Sequence, residues 1–173
     1  MAKLRRAAAY RTIKRAFTRT SKYKSKSYIK GVPMRKVTLY DMGALNQTFP
    51  VTVKLFAKKP CNLRHNAIES GRMVANRVLA SNFGKKGYSL HLHTFPHNIL
   101  RENALATGAG ADRFQTGMKH SFGKPVGTSA HIKKGKLLIT ARVPENGEKT
   151  AREALRKASS KFPIPCSIEA VIA

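Results

Sequence analysis

Residues 49–56 read FPVTVKLF. Phe49, Val51, Val53 and Leu55 alternate with Pro50, Thr52, Lys54 and Phe56, the period-two pattern of a strand with one buried face. Far downstream, residues 148–162 read EKTAREALRKASSKF. There Ala151, Ala154, Leu155, Ala158 and Phe162 recur at helical spacing and predict an amphipathic helix. Its early Glu148 and Glu153 and its later Arg156, Lys157 and Lys161 suit the helix dipole. A strand and a helix with one apolar face each must cover one another, so these two stretches predict an α+β domain.

Between them the expected elements follow in order. Pro60 and Asn62 open a helix, with Asn62 as N-cap. Leu63, Ala67, Val74 and Val78 face inward through about Ala80. Arg64, His65, Glu69, Arg72 and Asn76 lie on the other side. Asn82 to Gly87 form a basic turn. Tyr88, Leu90 and Leu92 alternate with Ser89, His91 and His93 as a second strand, which Phe95 to Arg101 continue past a bulge at Pro96. Thr128–Ile132 and Lys136–Val143 read as a hairpin around Lys133–Gly135, and Ser167–Ile172 as a closing strand. The expected whole is one mixed, mainly antiparallel sheet with two packed helices. No internal repeat is evident. A chain of 173 residues with 42% hydrophobic content suits a single core.

The charge is lopsided: 34 Lys and Arg against 8 Asp and Glu, a net +26. Such self-repulsion destabilises a compact state unless a polyanion neutralises it. No stretch approaches the ~20 apolar residues of a spanning helix, and the N-terminus lacks the apolar core of a signal peptide. Its Arg-rich, acid-free character leaves a mitochondrial presequence open, although the charge is spread too evenly for one. Residues 1–40 contain 13 basic residues and no acidic one; Asp41 is the first carboxylate. Single aromatics (Tyr10, Phe17, Tyr23, Tyr28) interleave with the charge, and Leu4 to Ile13 suit a short helix. This composition divides the chain into a basic arm, 1–40, that becomes ordered on RNA, and one α+β domain, 41–173. A solvated tail is the bland alternative.

Few residues suggest catalysis. His91, His93 and His97 lie close together, but no Cys or carboxylate adjoins them in a metal-ligand spacing. Cys61 and Cys166 read as buried reduced thiols of a cytosolic protein. Glu102 and Asp112 flank a glycine-rich stretch and are the only acid pair worth weighing for acid–base chemistry. Asp112 beside Arg113 more simply fixes the loop. The Gly-x-Gly at 108–110 lacks the strand, helix and later acid of a dinucleotide site. The expectation is therefore no enzyme, no metal and no cofactor. Residues 103–127 hold five of the twelve glycines, and so long an irregular stretch in a compact domain is usually functional. Within it, 105–117 read LATGAGADRFQTG: glycines for close backbone approach, Arg113 and Gln115 as planar donors, Phe114 for stacking on a base. A mobile loop without ligand is the competing reading.

Several stretches together resemble a known family. They are YIKGVP (28–33), YDMG (40–43), LRHNAIESGRMVANR (63–77), FPHNILREN (95–103), GAGADRFQTGMKHSFGKPVGTSA (108–130) and KFP (161–163). In that order they resemble the universal large-subunit ribosomal protein L-sixteen family, called L-ten-e in archaea and eukaryotes, and the chain looks like its archaeal branch. HLHTF at 91–95 is more His-rich than that family's pattern, which leaves the role of His91 and His93 open. The resemblance implies an α/β-hammerhead-like α+β fold and a non-catalytic place in the cytoplasmic ribosome. It implies large-subunit rRNA, neighbouring ribosomal proteins and the tRNA acceptor end as partners, with no membrane and no homo-oligomer. The 105–117 loop would then face the aminoacyl-tRNA site near the peptidyl-transferase centre, through Thr107, Gly108, Gly110, Asp112, Arg113, Phe114, Gln115, Thr116 and Gly117.

Candidate rRNA-binding residues are Lys3, Arg5, Arg6, Arg11, Lys14, Arg15, Arg19, Lys22, Lys24, Lys26 and Lys30 in the arm, Arg64, Arg72 and Arg77 in the first long helix, and Lys124. Each neutralises phosphate and releases counterions. The rival readings are an RNA-processing or modifying enzyme, which needs an acid–base or metal constellation, and a nucleoid protein, which predicts equal affinity for duplex DNA.

Overall fold

The computed structural model describes residues 4–12, 23–26, 29, 31–103, 108–111 and 123–172. Its elements are α1 (Ala8–Arg11), β1 (Asp41–Gly43), β2 (Val51–Ala57), β3 (Cys61–Arg64), α2 (His65–Phe83), β4 (Ser89–Leu92), β5 (Asn98–Glu102), β6 (Lys124–Ile132), β7 (Leu137–Val143), α3 (Glu148–Ser159) and β8 (Cys166–Ile172). The α+β class expected from the sequence is the one observed.

The alternation in β2 does what its pattern implies. Val51, Val53, Leu55 and Ala57 are all buried. On one side β2 pairs antiparallel with β7, from Val51↔Val143 to Leu55↔Ile139. On the other it pairs antiparallel with β8, from Val51↔Ile172 to Ala57↔Cys166. These strands centre a five-stranded sheet ordered β1-β4-β7-β2-β8. α3 lies across it, against β2, β7, β8 and α2, and buries Ala151, Ala154, Leu155 and Ala158, as its spacing requires.

Several expectations are corrected. The single sheet is two, because β3, β6 and β5 form a separate three-stranded antiparallel sheet. Asn62 does not cap a helix: it sits in β3, paired with His131, and α2 begins three residues later with Arg64 still extended. The ladder offered by β6 outweighs a local capping preference. Phe95–Arg101 does not prolong β4; the chain leaves the first sheet at His93 and joins the second at Asn98. The hairpin between β6 and β7 is a corner instead, since these strands belong to different sheets. Gly135, at φ 78°, turns that corner and donates its N–H to the Ala57 carbonyl at 2.7 Å. β6 also begins at Lys124, so it takes in the end of the irregular stretch.

The buried face of α2 is rotated from the expected one. His65, Ile68, Gly71, Ala75 and Leu79 point inward, while Ala67, Val74 and Val78 are half-buried. Helix–helix contact explains the choice. A Cβ at Gly71 would lie 2.8–2.9 Å from the ring of Phe162, so only a bare backbone lets the chain following α3 approach this closely. One core joins both sheets and both long helices, with Leu55, Leu63, Ile68, Leu79, Ile132 and Leu155 among its fully buried members. Each such side chain contributes about 1.5–3 kcal/mol.

Gly71→Leu is therefore expected to lower stability by about 2 kcal/mol through overpacking, read as a lower urea midpoint. Combined with Phe162→Ala, it should cost clearly less than the two single changes added together. Strict additivity would mean that the two sites do not pack as described.

Candidate RNA interface

The second sheet and the N-terminal segment together build a surface depression with basic walls. Residues 4–12 double back onto β3 and β5. Tyr10 is buried. Its hydroxyl donates to Glu102 Oε2 at 2.9 Å, and its carbonyl accepts from Asn62 Nδ2 at 3.3 Å. The Arg64 guanidinium lies 5.3 Å from the Tyr10 ring centroid, a cation–π contact. Arg5 Nε stands 2.5 Å from Glu102 Oε1. Burial and the neighbouring carboxylate push the Tyr10 hydroxyl's pKa up, so it remains a donor. This part of the arm is thus tied to the domain.

Beneath it lies a cavity of about 330 Å³, lined by Arg5, Tyr10, Arg64, His65, Asn66 and Gly127 among others. The N-terminus of α2 opens here. It has no side-chain cap and no acidic residue in its first turn, so the positive end of the helix dipole adds to the two guanidiniums. His65 is buried beside it. Its Nδ1 accepts from the Thr128 hydroxyl at 3.2 Å and from the Lys36 N–H at 3.4 Å.

The structure distributes the sequence-derived candidates over several places. Arg5 and Arg64 line this seat, Lys124 at the start of β6 pairs with Glu102 across the strands, and Arg6 and Arg11 are exposed on the same N-terminal segment as Arg5. Arg77 is exposed on the outer face of α2, and Lys26 lies over the Tyr23 ring at 5.5 Å. Arg72 is committed within the chain: its Nε donates to Glu69 Oε2 at 2.9 Å and its Nη1 to the Met42 sulfur at 3.0 Å, with the side chain 12% exposed. Lys24 sits in a 3₁₀ turn, Lys24–Lys26. Gly108 and Gly110 take positive φ, 121° and 76°, with open space where a Cβ would stand. Lys3, Lys14, Arg15, Arg19, Lys22, Lys30, Thr107, Asp112, Arg113, Phe114, Gln115, Thr116 and Gly117 lie outside the described residues.

Two features escaped sequence reasoning. Arg35 lies over the Phe95 ring at 4.7 Å, and that ring stacks on Tyr40 and touches His97. Nothing local signals a cation–π contact across 60 positions. The other is the seat itself, since its strands are far apart in sequence. His91 pairs with Asp41, and His93 shares a hydrogen bond with Thr140 at 2.8 Å. Cys61 is buried and Cys166 half-buried; both are free, and burial pushes both thiols up to about 11, so they stay protonated at neutral pH.

Comparison with known proteins adds a family. The profile described as ribosomal protein L16p/L10e matches residues 14–169. The large ribosomal subunit protein uL16 of Methanococcus maripaludis is 46% identical over 165 residues, covering 95% of this chain and 92% of that protein. The Archaeoglobus fulgidus protein of the same name is 42% identical, covering 94% and 90%. That of Picrophilus torridus is 40% identical, covering 84% and 83%.

The shielded imidazoles generate a pH prediction. Burial, then the cations Lys36 and Arg64, lower the pKa of His65 below the ordinary 6.5. Burial, then His91 and Arg142, lower that of His93. Below pH 6.5 the unfolded chain binds protons that the folded chain refuses, so stability falls as pH drops through that region and levels off below the folded pKa values. His65→Gln should flatten part of this slope in urea titrations between pH 7.5 and 5. An unchanged slope would show that His65 is not shielded.

Proposed function

This chain belongs to the ribosomal protein L16p/L10e family, and from that membership we propose that it is a structural constituent of the large ribosomal subunit, held there by rRNA. The likeness across nearly the whole chain carries this reading. The family is one of structural ribosomal proteins rather than enzymes. The net charge of +26 supports rRNA as the neutralising partner.

In mechanism, the body docks through the basic seat. Arg5, Arg6, Arg11, Arg64 and Lys124 meet phosphates, while Arg72 holds α2 through Glu69 and stays out of that set. The remainder of the 1–40 arm threads between rRNA helices. Exposed Val32, Met34, Leu39 and Leu45 suit contact with neighbouring ribosomal proteins. The 105–117 loop faces the acceptor end of tRNA. The positive φ and open surroundings of Gly108 and Gly110 support close backbone approach by another chain.

Sedimentation of the cellular protein tests the main reading. It should remain in large-subunit fractions in high salt, and its absence there would overturn the assignment. Purified protein should prefer one folded rRNA region over duplex DNA of equal length. Deleting 105–117 should leave subunit incorporation largely intact and impair translation. Failure of the deleted chain to fold would make the loop structural instead.

A further inference from the structure

Glu102 occupies a junction. It is the last residue of β5 and pairs with Lys124, the first of β6. Between these two residues the chain leaves the sheet and returns. The neck is tight: a Cβ at Gly123 would lie 2.6 Å from the Glu102 carbonyl carbon and 2.9 Å from the Asn103 nitrogen. Gly123 is buried there. The Glu102 backbone therefore forms one wall of the neck from which residues 103–123 depart.

Its side chain reaches the other way. Oε2 accepts the Tyr10 hydroxyl and Oε1 pairs with Arg5. Both carboxylate oxygens thus hold one short segment more than ninety positions earlier. Asn62, on the far edge strand of the same sheet, holds that segment's backbone at the Tyr10 carbonyl. Arg5 and Arg64 flank Tyr10, and Lys124 pairs with Glu102 across the strands, so without the carboxylate their repulsion would oppose docking. The chain has only eight acidic residues. One of them is placed where it fastens two otherwise separate basic parts.

We propose that Glu102 is a positioning residue that clamps residues 4–12 to the neck of the 103–123 segment, so that displacement of one loosens the other. The clamp itself requires no RNA; its consequence, that rRNA contacts on the arm set the attitude of a tRNA-facing loop, rests on the function proposed above. Ground-state hydrogen exchange on the full-length protein without RNA separates the two, because it reads the clamp alone.

Three variants test it: Glu102→Ala, Tyr10→Phe, and a chain lacking residues 1–12 in which Glu102 is intact. Glu102→Ala should speed amide exchange at both 8–12 and 124–127, on the order of tenfold, with β2 and α3 unchanged. Tyr10→Phe should produce a smaller rise at both places. The shortened chain should reproduce the rise at 124–127. That last result is one that a purely local role of Glu102 in its own strand would not produce. If the shortened chain exchanges at 124–127 as slowly as the parent, the proposal is overturned. It is equally overturned if Glu102→Ala leaves 8–12 as protected as before. Should Glu102→Ala loosen β2 as well, the shortened chain alone decides.

Discussion

Strand β2 is hydrogen-bonded along its length on both sides, and the remaining architecture is set by that double ladder. Its partners come from late in the chain, β7 and β8. With β2 central, its inner face of Val51, Val53, Leu55 and Ala57 must be covered, and α3 covers it. Because α3 lies there, α2 must pack beside it, and that contact demands the bare backbone of Gly71. The C-terminal end of β2 then launches the second sheet. Ala57 leads within four residues into β3, and its carbonyl holds the Gly135 corner that carries the chain back from β6. The second sheet is thus hung from the first by backbone bonds at one corner and by a shared apolar core.

Charge is handled separately from folding. Among the described residues, Glu69, Glu102, Glu148 and Glu153 form ion pairs with Arg or Lys, and Asp41 contacts the His91 imidazole. Those on α3 are exposed pairs at helical spacing, which add little stability. They leave the excess of cations on the surface, available to a polyanion. Among the described residues, two carboxylate contacts join elements distant in sequence, Asp41 of β1 with His91 of β4 and Glu102 of β5 with Arg5. Glu69–Arg72 lies within α2, where Arg72 also reaches the Met42 sulfur of β1, and Glu102 fastens the N-terminal segment. A chain so poor in acids gains most by placing them where cations would otherwise push two segments apart.

The N-terminal segment changes the picture of the arm. A run without carboxylates looks like a tail awaiting RNA, and for residues 4–12 that is incomplete. Tyr10 is a core residue in a basic sequence, held through its ring, hydroxyl and carbonyl by Arg64, Glu102 and Asn62. Val37 joins the main core as well. The interleaved aromatics were legible as a departure from a simple solvated tail. What Tyr10 packs against was not, because all three partners are distant in sequence.

The sequence by itself determined the elements whose pattern is purely local. β2 and α3 each show one apolar face, and each is where its period places it. It also determined the surplus of positive charge and, through motifs in fixed order, the family. Only the tertiary structure decided how the strands divide into two sheets, why Asn62 is a strand residue, and which stripe of α2 is buried. The reason is common to all three. Strand pairing and helix packing draw free energy from partners tens of residues away, and those contributions exceed the small local preferences that capping and turn signals express. The seat around Arg5, Arg64 and His65 is the same case. Each residue is unremarkable in its own stretch, and the site exists only because β3, β5, β6 and α1 converge.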